Sequence, residues 1–233
     1  MTNPVHYEFA DAVATITMDD GKVNALSLEM LAAVDGALDH ALADEAVVVL
    51  RGREGVFSAG FDLGVLRGGG PDAVPMLQAG FRLAERMLSF PAPVVIACPG
   101  HAIAMGSFLL LSADYRIGVS GPFRVTANEV AIGLTMPRAA VEICRQRLAP
   151  AAFNRAVLLA EVFDPEAALD AGFLDHVVPP DQLDGAVRDT VGRIVSLDMA
   201  AHRGTKARVR ADFLPSLRRA IEEDDAELAG LTG

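Results

Sequence analysis

The chain has no tryptophan, and aromatic residues make up only 6% of its 233 residues. Hydrophobic residues nonetheless make up 52% of the sequence, so the core must be built mainly from Ala, Val, Leu and Ile. Side chains of this kind suit the closely packed helices and strands of an α/β protein. The length is sufficient for one sizeable core, or for one domain with a short appendage.

Cysteine is also scarce, because the chain contains only Cys98 and Cys144. Both stand in apolar stretches, so we expect buried free thiols rather than a disulfide, which would need a secretory context. No spacing of His, Cys and Asp suggests a metal site, and we expect none.

Positive charge and long apolar runs are the other features that the chain lacks. Its net charge of −11 argues against a nucleic-acid partner and against anionic membrane surfaces. No apolar stretch approaches the length of a membrane span, and residues 1–6 show no basic region followed by an apolar segment. We therefore expect a cytoplasmic protein that binds neither nucleic acid nor membranes.

Hydrophobic periodicity and turn residues predict alternating strands and helices along most of the chain. The predicted strands are a hairpin over 7–18, then 47–51, 94–97, 115–119 and 173–178. The predicted helices are 27–43, 74–88, 107–113, 137–147 and 150–159. Beyond residue 181 the pattern predicts helices interrupted near Leu197, Gly204 and Pro215.

Two glycine-bearing turns are the most informative segments. The first, Phe57-Ser-Ala-Gly-Phe-Asp-Leu63, and the second, Gly100-His-Ala-Ile-Ala-Met-Gly-Ser-Phe108, each follow an apolar run. Glycine permits backbone angles that other residues resist, so such turns can direct main-chain N–H groups into a pocket. Two N–H groups that converge on one carbonyl oxygen form an oxyanion hole. Either turn alone is common between strand and helix, whereas both in this order favour a site.

The paired turns resemble those of the crotonase (enoyl-CoA hydratase/isomerase) superfamily, whose patterns are F-S/C-A-G-x-D-L and G-x-A-x-G-G-G. The resemblance covers nearly the whole chain and implies an α/β fold, a β-β-α superhelix followed by a helical C-terminal region. It implies a core with a CoA thioester site over residues 1–190 and a helical oligomerisation region over residues 191–233. It also implies a homotrimer or a dimer of trimers.

The same resemblance implies coenzyme A as part of the substrate, with no tightly bound cofactor. It assigns the oxyanion donors to the backbone N–H groups of Phe61 and Met105, with Gly106 as a second choice for the latter. Lys22-Val-Asn-Ala-Leu26 resembles the family's K-x-N-A-L segment, which follows CoA. The implied CoA-binding residues are Lys22, Val23, Ala25, Leu26, Ala59, Gly60, Asp62, Leu63 and Gly106.

Coenzyme A is polyanionic, so an acidic chain must supply positive charge locally. A basic cluster late in the sequence could do so; the alternative is a solvated helix face, and the sequence leaves both open. The cluster consists of Arg203, Lys206, Arg208 and Arg210.

One glutamate stands where family hydratases have two. The position of the first glutamate, just after the second turn, is occupied by Phe108, whereas Glu129 in Ala127-Asn-Glu-Val-Ala-Ile-Gly133 matches the second. On composition alone Glu129 would be an exposed or helix-capping carboxylate, but the family pattern favours a catalytic base. We expect its apolar neighbours to raise its pKa. Asn128 could orient Glu129 or simply form a turn.

A single base changes which reaction is feasible. It can remove a proton from C2 of a 3-enoyl thioester and return it at C4, so the resemblance implies an enzyme for Δ3,Δ2-enoyl-CoA isomerisation through an oxyanion-stabilised enolate. The alternatives are an enoyl-CoA hydratase of the fatty-acid β-oxidation type and a non-catalytic acyl-CoA-binding protein. The length and branching of the acyl chain stay open.

Overall fold

A β-hairpin of β1 (Val5–Ala10) and β2 (Val13–Met18) opens the fold, in a computed structural model that describes residues 3–68 and 70–231. Asp11 and Ala12 between the strands both have positive φ, as a tight two-residue hairpin turn requires. After β3 (Ala25–Leu26), α1 (Leu28–Ala43) begins at Ser27, whose Oγ accepts a hydrogen bond from the Met30 N–H at 3.1 Å. The predicted hairpin and N-cap are confirmed.

The chain then repeats one order of elements: a longer strand, a short strand and helix. The first repeat contains β4 (Val47–Arg51), β5 (Gly55–Ser58), β6 (Gly60–Phe61), α2 (Leu63–Gly68) and α3 (Ala73–Ser89). The second contains β7 (Val94–Cys98), β8 (Gly100–Ile103) and α4 (Met105–Leu111). The third contains β9 (Tyr115–Val119), β10 (Val125–Thr126) and α5 (Arg138–Arg147). This order is a β-β-α superhelix, so the predicted fold class is confirmed.

The longer and the short strands build separate sheets. Among the described residues the main sheet has the order β1-β2-β4-β7-β9-β11, with β11 at His176–Val178, and is parallel beyond the hairpin. A second parallel sheet has the order β10-β8-β5, and β3 pairs with β6. The carboxyl ends of β5, β8 and β10 therefore lie at one edge, where ligands commonly bind in parallel sheets.

Helices complete the chain beyond α5. They are α6 (Pro150–Leu159), α7 (Pro165–Ala171), α8 (Leu183–Ile194), α9 (Met199–Val209) and α10 (Phe213–Leu231). Helix α10 packs against α3 and α5 of its own chain. The predicted boundary after residue 190 lies within α8, and the first two and last two residues of the predicted regions lie outside the described residues. The division itself stays a prediction.

Two predictions about this part of the chain were wrong. Phe173 and Leu174 are not in a strand, because α7 ends at Gly172 with positive φ and both residues then enter the core. Gly204 does not interrupt α9, since a single glycine costs only about 1 kcal/mol within a helix. The interruption predicted near Pro215 is present at residues 210–212, and Pro215 itself lies in the first turn of α10, where no intrahelical N–H bond is required.

The core lies on both faces of the main sheet. One face packs against α1, α3, α4 and α5, and the other packs against α8. Cys98 and Cys144 are buried and free, as predicted. No helix in the described ranges has both the length and the apolar character needed to cross a bilayer. The cytoplasmic location stays a prediction.

Candidate active site

The three residues predicted to do the chemistry follow the carboxyl ends of three neighbouring strands. Phe61 comes shortly after β5, Met105 shortly after β8 and Glu129 shortly after β10. Because β8 lies between the other two strands in the sheet, the structure brings all three segments to the same edge. That edge is the candidate active site.

The first turn lies directly against the second. Gly60 has φ of +87°, and a Cβ there would lie 2.8 Å from the Ile103 carbonyl oxygen and 3.4 Å from the Met105 nitrogen. Only glycine combines that backbone angle with so close an approach. The backbone of Phe61 is therefore held next to that of Met105.

The N–H of Phe61 is not used in strand pairing. Leu26 of β3 pairs with Phe61, and the Leu26 carbonyl accepts its hydrogen bond from the Asp62 N–H at 3.4 Å. Successive N–H groups along a strand point to opposite edges, so the Phe61 N–H points away from β3. This direction leaves it available as a donor.

The second turn presents the start of a helix. Ala104 has φ of 49° and precedes α4, and its carbonyl accepts hydrogen bonds from the N–H groups of Ser107 and Phe108 at 2.8 and 3.2 Å. Met105 and Gly106 occupy the first two helical positions, whose N–H groups have no acceptor within the helix. Both residues are buried. The Met105 N–H is thus also available as a donor, beside that of Phe61.

Contacts that sequence reasoning missed hold the predicted CoA segment beside the first turn. The buried Asn24 amide donates to the carbonyls of Met18 and Phe57 at 2.9 and 3.1 Å. The Asp20 carboxylate accepts from the N–H groups of Lys22, Asn24 and Ala25 at 2.7 to 3.0 Å. Burial opposes ionisation of Asp20, but these hydrogen bonds outweigh it and lower its pKa. The Asn within the Lys-x-Asn-Ala-Leu segment was the available signal.

The predicted CoA residues differ in exposure and in backbone pairing. Ala59 N–H donates to the Val23 carbonyl at 3.0 Å, and Val23 and Lys22 expose their side chains. Leu26 is fully buried, and its carbonyl accepts a hydrogen bond from the Asp62 N–H. Ala25 and Gly60 are paired strand residues, which joins the two segments side by side.

The residues after the first turn begin α2. Asp62 Oδ1 accepts from the N–H groups of Gly64 and Val65 at 2.7 and 3.3 Å, so its side chain caps this helix. Leu63 is the first helical residue and leaves its side chain exposed. Leu63 therefore leaves an apolar side chain at the surface beside the first turn, whereas Oδ1 of Asp62 is already hydrogen-bonded.

The basic cluster fits neither of its two interpretations completely. Lys206 and Arg210 are buried, and each forms an ion pair of 2.7 Å with Asp114. Burial lowers the pKa of Lys206, and Asp114 opposes that change. These two cations hold α9 on the core and are not available to phosphates, whereas Arg203 and Arg208 are exposed.

Glu129 is a buried carboxylic acid with an unusual pKa. It is 8% exposed, and burial raises its pKa to about 7, against a small opposing effect of its own backbone N–H. Its Oε2 has no hydrogen-bond partner among the described residues. The nearby Cys144 thiol is also buried, and the Glu129 charge contributes to raising its pKa. Such a group can accept a proton near neutral pH.

The backbone of Glu129 is fixed by the turn that follows it. Its carbonyl accepts hydrogen bonds from the N–H groups of Ile132 and Leu134 at 3.1 and 2.9 Å. Asn128 Oδ1 is buried without a partner in the described part of the chain, and the Asn128 carbonyl accepts from the Ile132 N–H at 3.2 Å. These contacts identify Asn128 as part of the turn and give no hydrogen bond from it to the Glu129 carboxylate.

Phe108 lies in an aromatic cluster. Its side chain is 1% exposed and stacks on Phe81 at a centroid distance of 6.2 Å, while Phe81 meets Phe61 edge to face at 6.3 Å. Helix α4 has the sequence Met-Gly-Ser-Phe-Leu-Leu-Leu and contains no acidic residue. This side of the site is therefore apolar.

Comparisons with known proteins agree with this geometry. The sequence profile of the family described as "Enoyl-CoA hydratase/isomerase" matches residues 8–230. A crystal structure of an enoyl-CoA hydratase/isomerase family protein from Pseudomonas syringae superposes with a TM-score of 0.94 and 48% identity, covering 97% of this chain and 98% of that one.

Two curated relatives have different names. The mitochondrial enoyl-CoA delta isomerase 1 of Homo sapiens is 29% identical over 227 residues, which is 93% of this chain and 72% of that protein. A probable enoyl-CoA hydratase of Mycolicibacterium paratuberculosis is 29% identical over 215 residues, which is 91% of this chain and 83% of that protein. The names thus divide between two reactions of one substrate class.

Proposed function

The chain belongs to the enoyl-CoA hydratase/isomerase family, and on that premise we propose that it catalyses the Δ3,Δ2 isomerisation of enoyl-CoA thioesters. Membership of this family makes the chain an enzyme of enoyl-CoA chemistry. The choice between isomerisation and hydration rests on the residues of the site.

In the proposed reaction the thioester carbonyl oxygen accepts hydrogen bonds from the N–H groups of Phe61 and Met105. Glu129 removes a proton from C2, and the electron pair of that C–H bond moves into a dienolate whose negative charge lies on this oxygen. The protonated Glu129 then returns the proton at C4, which leaves the double bond between C2 and C3. Because the two donors are fixed, they stabilise the negative oxygen of the dienolate more than the neutral carbonyl oxygen, which lowers the barrier to forming the dienolate.

The observation that supports this reaction is the contrast between Glu129 and Phe108. Glu129 is a buried carboxyl group with a pKa of about 7, as a base that removes a carbon-bound proton needs. Phe108 occupies the position of a hydratase's water-activating glutamate, and it is enclosed by the aromatic cluster. One base suffices for a proton shift, whereas addition of water needs a second group to activate the water.

Hydration is the second candidate, and the probable enoyl-CoA hydratase among the relatives favours it. A hydratase would need a group other than a glutamate at position 108 to position the water. The apolar surroundings of Phe108 argue against such a water on that side.

Coenzyme A enters the proposal as part of the substrate, with no tightly bound cofactor. The backbone of residues 22–26 and 59–63 would follow it, since the two segments are paired side by side. We also propose a homotrimer or a dimer of trimers as the assembly.

Replacing Glu129 by Gln tests the proposed base. We expect Glu129→Gln to lower turnover of a 3-enoyl-CoA by at least about a hundredfold, because Gln keeps the shape but cannot accept the proton. Binding of a saturated acyl-CoA, measured by calorimetry, should change little. Glu142→Gln is the matched control, since Glu142 lies on α5 and pairs with Arg145. Activity of Glu129→Gln within a few-fold of the unmodified protein would remove Glu129 from the mechanism.

A further inference from the structure

A cavity of about 380 Å³ lies next to the candidate active site, between α3, the loop after Glu129 and α10. Its walls are mainly apolar, and charged residues lie at its rim. The apolar side chains are Leu77 and Phe81 of α3, Met136 of the loop, and Ile221 and Leu228 of α10. The volume is within the range of pockets that bind small molecules.

Phe81 lies between this cavity and the rings of Phe61 and Phe108. Its ring lines the cavity, stacks on Phe108 and meets the edge of Phe61. With an exposure of 6% it fills the space between them. The Phe81 ring therefore lies between the cavity and Phe61, whose N–H is a proposed oxyanion donor.

Another wall of the cavity is formed by the loop that follows Glu129 along the chain. The Leu134 N–H is bonded to the Glu129 carbonyl, and the next three residues, 135–137, line the cavity. An acyl chain that runs from the oxyanion donors past Glu129 would therefore be directed between Phe81 and this loop. The cavity lies where such a chain would extend.

The far wall is held in place by ion pairs. Arg138 Nη1, at the start of α5, lies 3.1 Å from Asp224 and 2.6 Å from Glu227 of α10. These contacts join α10 to α5 at the cavity rim, on the side opposite Phe81.

We infer that Phe81 sets the length of the acyl chain that the site accepts, by closing the passage between the reacting end of the chain and the cavity beyond it. The inference rests on the proposed function and names its substrate class. The unmodified protein then selects enoyl-CoAs with short acyl chains. A smaller side chain at position 81 joins the cavity to the site and admits longer alkyl chains.

The experiment measures binding of saturated acyl-CoAs, which cannot react, to the unmodified protein and to Phe81→Ala. Calorimetry with butanoyl-, octanoyl- and dodecanoyl-CoA gives the ratio of affinities for long and short chains. We expect this ratio to rise by at least about tenfold in Phe81→Ala, since each additional buried CH₂ contributes roughly fourfold in affinity. Phe81→Leu, which removes less volume, should give a smaller rise and serves if the alanine variant does not fold.

Two further variants make the test specific to this cavity. Phe173→Ala deletes an equally buried ring that packs on Phe163, away from the cavity, and should leave the ratio unchanged. Leu77→Phe added to Phe81→Ala refills the cavity and should abolish the gain. An unchanged ratio in a folded Phe81→Ala, or a gain that survives Leu77→Phe, would overturn the inference. Absence of acyl-CoA binding in the unmodified protein would instead contradict the proposed function.

Discussion

At the scale of single residues, the Glu129 carboxyl group is buried, although the proposed reaction requires it to be charged. Its pKa rises from an ordinary 4.5 to about 7 because burial disfavours the carboxylate. Between these two values the unfolded chain is ionised while the native carboxyl group keeps its proton. Folding stability is therefore lost as pH rises through this range, and a shift of this size corresponds to about 3 kcal/mol.

This linkage gives a prediction for stability. Compared with the unmodified protein, Glu129→Gln should be more stable by a margin that grows by about 3 kcal/mol from about pH 4.5 to about pH 8. Denaturant unfolding of both proteins at the two pH values measures the margin, and effects of other groups cancel in the difference. A margin that does not depend on pH would show that the Glu129 pKa is not raised.

The family resemblance of the two turns and of the segment around Glu129 was sufficient to predict which three segments of the chain meet at this edge. Phe61, Met105 and Glu129 come to one sheet edge because each follows a strand of the same parallel sheet. The supporting roles of Asn24 and Asp20 were not predicted. Asn24 donates to the Phe57 carbonyl, which is distant in sequence, and Asp20 accepts from N–H groups of a loop, which has no periodicity. The same holds for Phe81, whose role depends on contacts between three separate elements.

At the scale of elements, the longer strands and most helices follow from hydrophobic periodicity, while the short strands do not. Strands β3, β6 and β10 have two residues each, too few to show alternation. Their pairing is decided by the turns between the sheets. The helix break expected near Gly204 is absent, because one glycine within a helix costs only about 1 kcal/mol, whereas the break near Pro215 lies just before the helix that contains this proline in its first turn.

Helix α3 makes room for the ring of Phe61 at Gly80. A Cβ at this position would lie 2.4 and 2.5 Å from two carbons of the Phe61 ring. Gly80→Ala should therefore displace the Phe61 ring and lower kcat by only a few-fold, well below the roughly hundredfold that loss of one oxyanion donor costs, because the end of the ring can move while the backbone N–H stays in place. Steady-state kinetics of a 3-enoyl-CoA measures the effect.

Two variants separate this role from a general effect on the helix. Adding Phe61→Ala to Gly80→Ala removes the clashing ring and keeps the backbone N–H, so it should recover most of the activity. Gly36→Ala in α1, where an added Cβ meets no atom within 4 Å, should not alter kcat and should stabilise the protein by about 0.5–1 kcal/mol. Full activity of Gly80→Ala would show that the Phe61 position is not critical.

At the scale of the whole molecule, buried ion pairs join the C-terminal helices to the core. Asp114 pairs with Lys206 and Arg210, and Arg210 also donates to the Leu88 carbonyl at the end of α3. A second group of ion pairs lies within the core: Asp175, just before β11, pairs with the fully buried Arg116 of β9 and with Arg147 of α5. The sequence showed a basic cluster but not its partners, because the partners are about a hundred residues away along the chain.

The proposed assembly is a prediction at this scale. Large apolar side chains remain exposed near the end of α6 and after Glu129, including Leu158, Leu159, Val162 and Ile132. Exposed apolar patches on this scale favour association between subunits. We expect sedimentation at micromolar concentration to give the mass of a trimer or of a dimer of trimers. A mass that matches a single chain would contradict the assembly.

The central claim is that one buried base, without a second carboxylate, makes this protein an isomerase. The measurement that tests it most directly is the ratio of two rates: isomerisation of a 3-enoyl-CoA and hydration of the matching 2-enoyl-CoA. The unmodified protein should isomerise at least about a hundredfold faster than it hydrates, since a second acid–base group contributes that much to addition of water. Phe108→Glu should lower this ratio. Because a buried unpaired carboxylate costs several kcal/mol, thermal melting checks that this variant folds. Hydration by the unmodified protein that equals or exceeds isomerisation would contradict the account.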